Sequence, residues 1–259
     1  MLTLISLASA LWLSSLDNKA LREKKGPYKD VADTKTSKGI KLSDVREFPV
    51  LYWVLCVTIA LFYSIVFPFM ANAPSYLEDQ SKFGISSSGW RVSCVYGVSM
   101  LVSVALGAFV DWFGRRTPIA IFGTAITLPT FYLLGYTSVD PVYSMIMLGI
   151  AYSVCASALW PSVQLLVPLR TTGTANGVAT SVQMLGIGIC NIIVGKLGDN
   201  ATFSTQMMFF FGLGCACVVT TTSMFCADTE KKMYLGKRDE DLADKDEMKS
   251  PLIPKEELV

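Results

Sequence analysis

The chain has 259 residues, 52% hydrophobic and 17% charged, against about 25% charged in ordinary soluble domains, which excludes a typical water-soluble globule and points to a membrane protein. Its net charge of +1 with clustered basic residues offers no nucleic-acid surface. Histidine is absent, which removes the commonest general base and the commonest metal ligand together.

Apolar stretches cover residues 1–16, 50–76, 92–110, 118–136, 141–167, 173–195 and 203–227. The last six reach about the twenty residues that cross a hydrocarbon core of roughly 30 Å at about 1.5 Å per residue. The first is too short to span, so it is either a signal peptide or the end of a truncated transmembrane helix. No basic region precedes Leu2, and the linker at 17–47 carries nine Lys and Arg residues that a cleaved signal would place outside. The truncated helix is therefore the expectation for 1–16. The linker is polar, holds charges of both signs and lacks the apolar surface to fold alone. It reads as a solvated connector or as a basic segment touching anionic lipid of the bilayer.

Residues 48–227 follow as six helices joined by short turns, an all-α membrane bundle, and 228–259 reads as a disordered tail. Of the 22 Lys and Arg residues, nineteen lie in the linker, in alternate connections downstream (Arg115, Arg116, Arg170) or in the tail. Only Lys82, Arg91 and Lys196 lie on the other side. Because cytoplasmic loops carry the basic excess, the linker and the C-terminus are expected in the cytoplasm.

Within the helices, Pro68, Pro74, Pro129 and Pro161 free backbone carbonyls and mark bends. Tyr63, Phe67, Tyr96, Tyr152 and Trp160 are packing aromatics or contacts along a substrate path. In the 173–195 helix, Gly173, Gly177, Ser181, Gly188 and Gly195 gather on one small-residue face that permits close helix packing. Asn176, Thr180, Gln183 and Asn191 gather about a quarter turn away, and at membrane depth such groups face protein or a water-filled path. The seven cysteines (Cys56, Cys94, Cys155, Cys190, Cys215, Cys217, Cys226) fall in apolar runs without a C-x-x-C pair and read as small packing residues. No metal or cofactor is expected.

"GAFVDWFGRRTP" at 107–118 ends one apolar run abruptly. Gly107 and Asp111 are four apart on one helix face, Gly114 turns the chain, and Arg115 and Arg116 sit at headgroup level. A positive-inside stop signal accounts for the arginines but not for the spaced glycine and aspartate. The spacing G-x-x-x-D-x-x-G-R-R resembles the loop signature of the major facilitator superfamily, found between the second and third helices of each six-helix half. The resemblance implies a conformational latch at Gly107, Asp111, Gly114, Arg115 and Arg116. Trp112 stands where that family often has a basic residue, which implies a reduced charge relay.

A narrower resemblance lies in "VFPFM" at 66–70, the A-L-W-P turn of Ala158, Leu159, Trp160 and Pro161, the pair Val167–Pro168, and the start of the next helix at Gly173, Thr174, Ala175 and Gly177. These are similar to the C-terminal half, helices 7–12 with the end of helix 6, of the domain-containing protein 1 group of that superfamily, the lysosomal dipeptide transporters. The resemblance implies a secondary active or facilitative, uniporter-like carrier working by alternating access, with a glycosylated lysosomal membrane protein as accessory subunit. No Asp, Glu, Lys or Arg lies deep in the six spans, so groups for charged substrate or proton relay are expected in an N-terminal six-helix half or a second half-chain. A non-transporting scaffold and, more remotely, a seven-helix receptor are the alternatives. An enzyme fits least, with no nucleophile elbow or phosphate loop. Asn200 opens a glycosylation acceptor, Asn200-Ala201-Thr202, on the expected lumenal side. Leu252 and Ile253 resemble an endolysosomal dileucine signal, with Glu247 one position too far upstream.

Overall fold

With no water in a bilayer core to satisfy peptide groups, apolar runs of this length close their hydrogen bonds internally, as helices. The computed structural model describes residues 11–12, 45–46, 48–81, 85–113, 116–167, 171–200 and 202–231. Two units are separable, Met1–Arg46 and Glu47–Val259. In the first, only 11–12 and 45–46 are described, so the expected helix end at 1–16 and the linker at 17–47 otherwise lie outside the described residues, as does the tail beyond 231.

The second unit contains α1 (Val50–Ser81), α2 (Ile85–Phe113), α3 (Arg116–Tyr136), α4 (Pro141–Leu166), α5 (Thr172–Asn200) and α6 (Phe203–Lys231). All six are long and apolar enough to cross a membrane. The shortest, α3 with 21 residues, rises about 32 Å at 1.5 Å per residue. Helices α2 and α5 extend past the apolar runs that mark them in the sequence, because polar residues continue the helix beyond the hydrocarbon core. Helix α4 starts at a defined cap: Asp140 accepts from Val142 N–H at 3.0 Å, with Pro141 at the first position. It stops where Val167, the residue before Pro168, turns extended at φ −127°, ψ 150°.

Connections of two to five residues make successive helices antiparallel. The strongest contacts join α2 to α4, α3 to α4, α3 to α6, α1 to α5 and α1 to α6. This pattern maps onto itself when α1 is exchanged with α4, α2 with α5 and α3 with α6. Since α1 and α4 run in opposite directions, the bundle is two three-helix units in inverted repeat. Every one of the strong contacts joins a helix of one unit to a helix of the other, so the units interlock rather than sit side by side.

Two crossings set this arrangement. At α2 and α4, a Cβ on Gly149 would stand 2.7 Å from the Val95 carbonyl oxygen, and Ser99 and Ser153 share a hydroxyl hydrogen bond of 2.9 Å one turn along. At α1 and α5, a Cβ on Gly186 would stand 3.0 Å from Ser64 Oγ and 3.2 Å from Ala60 Cβ. One turn further, the Cys190 thiol donates to the Ser64 carbonyl at 3.1 Å. That carbonyl is the one Pro68, four residues on, leaves without its helical N–H. About three turns earlier along α1, Tyr52 donates its hydroxyl to the Ala175 carbonyl at 2.9 Å. The third seam, α3 on α6, is filled by Phe69, Phe131 and Phe210, all fully buried with ring centroids 5.2 to 5.7 Å apart. Along α3 the buried hydroxyls of Thr124, Thr127 and Thr130 return to carbonyls of their own helix, which leaves them satisfied without a partner helix.

The outward faces differ. Helix α2 exposes Met100, Leu101 and Val104 at 75 to 80%, and α5 exposes Met184, Leu185 and Ile192. Gly149→Val places branched carbons against the Val95 backbone, and overpacking of this kind costs about 1–3 kcal/mol. Thermal unfolding of the detergent-solubilised protein is expected at a clearly lower temperature for Gly149→Val, while Gly188→Ala, whose added carbon meets nothing within 4 Å, keeps or slightly raises it.

Candidate functional site

Helices α1 and α4 hold the equivalent first places of the two repeats, and aromatic residues bridge them. Trp160 Nε1–H on α4 donates to the Tyr63 hydroxyl on α1 at 2.7 Å, with ring centroids 6.2 Å apart. Tyr63 stacks on Phe67 at 5.5 Å, and Tyr152 meets both edge-on at 6.0 and 6.4 Å. Tyr63 is 4% exposed, whereas Phe67, Tyr152 and Trp160 are half-buried, so the group has a closed floor and an open side. Of the five aromatics singled out in the sequence, these four come together. Tyr96, on α2, is more than half exposed, with its hydroxyl close enough to interact with that of Tyr152.

The polar residues of α5 keep to about a quarter of its circumference but differ in burial. Gln183 is buried on the stripe that also carries Ala175, Ala179, Gly186, Cys190 and Val194, facing α1, while Asn191 is exposed. Asn176 and Thr180 are half-buried, and the Thr180 hydroxyl donates to the Asn176 carbonyl at 2.8 Å. The small-residue face expected to pack closely is elsewhere: added carbons at Gly173, Gly177, Gly188 and Gly195 meet nothing within 4 Å, and Ser181 is exposed. Among the described residues no helix lies on that face, and the stripe around Gly186 is the one that packs.

At the loop motif, Gly107 lies in α2 with open space beside it, and Asp111 is helical with its side chain outside the described set. Gly114 and Arg115 fall outside the described residues; Arg116 opens α3, half-buried. Asn200 ends α5 two residues before Thr202, whose hydroxyl pairs with that of Thr205 at 2.9 Å.

The opposite end of the bundle carries an ion pair that sequence reasoning did not single out. Arg91 Nε donates to Asp140 Oδ1 at 3.2 Å and another guanidinium nitrogen to Oδ2 at 3.3 Å. The guanidinium is itself held by the Ser87 carbonyl and hydroxyl. The pair ties the start of α2 to the cap of α4. The Arg91 guanidinium, and after it the Val142 N–H, hold the Asp140 carboxyl below the usual carboxylate range. No grouping of Cys, Asp and Glu among the described residues could hold a metal ion. Gly149 and Gly186 were likewise missed as contact residues, whereas Cys190, read as a small packing residue, does pack against α1. The usable signal was the four-residue spacing of small side chains, Ala60/Ser64, Gly149/Ser153 and Gly186/Cys190.

A family model for the Major Facilitator Superfamily matches residues 1–191. Among curated proteins, the human "Lysosomal dipeptide transporter MFSD1" is 34% identical over 220 residues, 83% of this chain and 44% of that protein. Its Danio rerio namesake is 32% identical over 231 residues, 88% of this chain and 49% of that protein. A Bacillus subtilis (strain 168) "Uncharacterized MFS-type transporter YwoD" is 26% identical over 156 residues, 59% of this chain and 34% of that protein. The chain thus spans less than half the length of these relatives.

Asp140→Asn removes the charge but keeps a capping side chain, and exposed pairs of this kind are worth about 0.5 kcal/mol. Because the folded carboxyl titrates below its unfolded value, the stabilisation is present at neutral pH and down to about pH 4, and is lost as pH falls through the folded value. Unfolding temperatures of wild type and Asp140→Asn, measured from pH 7 to pH 3, are expected to differ by a constant margin that closes only at the acid end.

Proposed function

The chain belongs to the major facilitator superfamily, and on that premise we propose that it works as the C-terminal six-helix half, helices 7–12 with the end of helix 6, of an alternating-access transporter. Its substrates are dipeptides or similar small solutes leaving lysosomes. The observation that carries the reading is the inverted repeat with α1 and α4 at equivalent places, joined by an aromatic group that is open on one side. The likeness to proteins named lysosomal dipeptide transporters supplies the substrate class.

A dipeptide brings an ammonium and a carboxylate, and each needs a counter-charge once water is removed. Helices α1 and α4 carry no charged residue at mid-span. The termini of the substrate are therefore held by a second six-helix body, an N-terminal half or a second half-chain, packed against this one. The half-exposed apolar faces of α2 and α5 and the open small-residue face of α5 support such a neighbour, since large unpacked apolar surface on a helix with glycines is suited to protein as well as lipid. Gly107, Asp111, Gly114, Arg115 and Arg116 form the latch, whose charge pairs hold one conformational state and release in the other. In this reading the linker and the C-terminus lie in the cytoplasm, Asn200 faces the lumen, and a glycosylated lysosomal membrane protein is the accessory subunit.

The test is uptake of a radiolabelled dipeptide into vesicles carrying the protein purified from its native membrane. Saturable uptake that equilibrates without a proton gradient is expected. No uptake in vesicles where the protein is folded and inserted would refute the carrier and bring the non-transporting scaffold forward. Asp111→Ala is expected to slow uptake about tenfold, equivalent to a shift of about 1.4 kcal/mol between states, with dipeptide affinity unchanged. Equal rates in the two proteins would exclude the latch.

A further inference from the structure

We propose that Tyr63, Phe67, Tyr152 and Trp160 form a side-chain pocket that receives an aromatic or large apolar group of the transported peptide and so decides which peptides are carried. The proposal rests on the reading of the chain as half of a peptide carrier. It goes beyond that reading by assigning side-chain selection to this half, while the charged termini of the substrate are held elsewhere.

The chemistry of the rings specifies the ligand. The Trp160 N–H is already engaged by the Tyr63 hydroxyl, so the half-buried indole offers ring surface and no hydrogen-bond donor on its open side. That hydrogen bond also fixes the plane of the indole, which gives the pocket a rigid wall and a low ordering cost on binding. Tyr63 and Phe67 are nearly parallel, with an interplanar angle of 22°, and turn their faces to each other. Tyr152 stands at 82° and 77° to them, and Trp160 at 66° to Tyr63. A cation seeks an open ring face, and the stacked pair has used the faces it turns inward. A further ring or branched aliphatic group can instead extend the existing edge-to-face pattern. Tyr63, itself buried, forms the inner side of the group. The group also spans the two helices that the repeat makes equivalent, so a ligand there touches both three-helix units at once.

Competition for uptake of labelled dialanine tests this in the intact carrier, with unlabelled Ala-Ala, Ala-Phe and Ala-Lys as competitors. Wild type is expected to favour Ala-Phe over Ala-Ala by about tenfold, the scale of a few aromatic contacts. Trp160→Leu and, as a second variant, Tyr152→Leu are expected to abolish most of that preference, raising the KM for Ala-Phe several-fold more than the KM for dialanine. Trp160→Phe, which keeps a ring, retains most of it. If both leucine variants carry dialanine with the wild-type Ala-Phe preference, the pocket is excluded and the carrier reading stands. A wild-type preference for Ala-Lys that the leucine variants lose would overturn the apolar assignment in favour of a cation site. If wild type carries no peptide, the carrier reading itself fails and the pocket with it.

Discussion

The close approach of helix backbones at two crossings, α2 on α4 at Gly149 and α1 on α5 at Gly186, is the constraint on which the bundle depends. Lipid tails are as apolar as leucine, so helices in a bilayer gain little by hiding hydrophobic surface from their surroundings. They gain by dispersion contacts at short range and by the few polar bonds that short range permits. A side chain at Gly149 would meet the Val95 carbonyl, and one at Gly186 would meet Ser64 and Ala60. Without those glycines the Ser99–Ser153 bond and the Cys190–Ser64 bond could not form at 2.9 and 3.1 Å.

These crossings also explain why the two three-helix units cannot be separated. In each, a helix of one unit docks on a helix of the other, and the phenylalanine seam of Phe69, Phe131 and Phe210 draws on both as well. Residual polarity is handled in the same places. The carbonyl that Pro68 strands at Ser64 is capped from α5, and the Ala175 carbonyl of α5 is met by Tyr52 of α1. The carbonyl that Pro68 frees in α1 is thereby satisfied by the neighbouring helix.

Charge is confined to the ends. Arg91 and Asp140 staple α2 to α4 at one end, and the Asp111–Arg116 loop stands at the other. Between them the interior of the described residues offers aromatic surface, hydroxyls and the buried amides of Gln183 and Gln206. Such an interior can shape selectivity for size and apolar character, but a zwitterion needs partners of full charge. In the proposed carrier that division of labour falls between the two six-helix bodies.

The six spans were legible in the sequence because their cause is local: a hydrocarbon core demands some twenty apolar residues with internally paired backbone, and each run meets that demand by itself. The loop signature at 107–116 was legible for the same reason, being a spacing along one chain segment. Which face of α5 packs was not. Gly173, Gly177, Ser181, Gly188 and Gly195 form a stripe of small residues, yet the stripe in contact runs through Ala179, Gly186 and Cys190. In a soluble helix the polar residues would mark the outer side, but in a membrane both sides are apolar and the pattern carries almost no directional signal. The joining of Tyr63 to Trp160 and of Arg91 to Asp140 has the same character. Composition and spacing determined by themselves the six helices, among the described residues, that are long and apolar enough to cross a membrane; only the tertiary arrangement decided which small residues touch, which aromatics meet and which proline carbonyl is capped, because those depend on where a neighbouring helix stands.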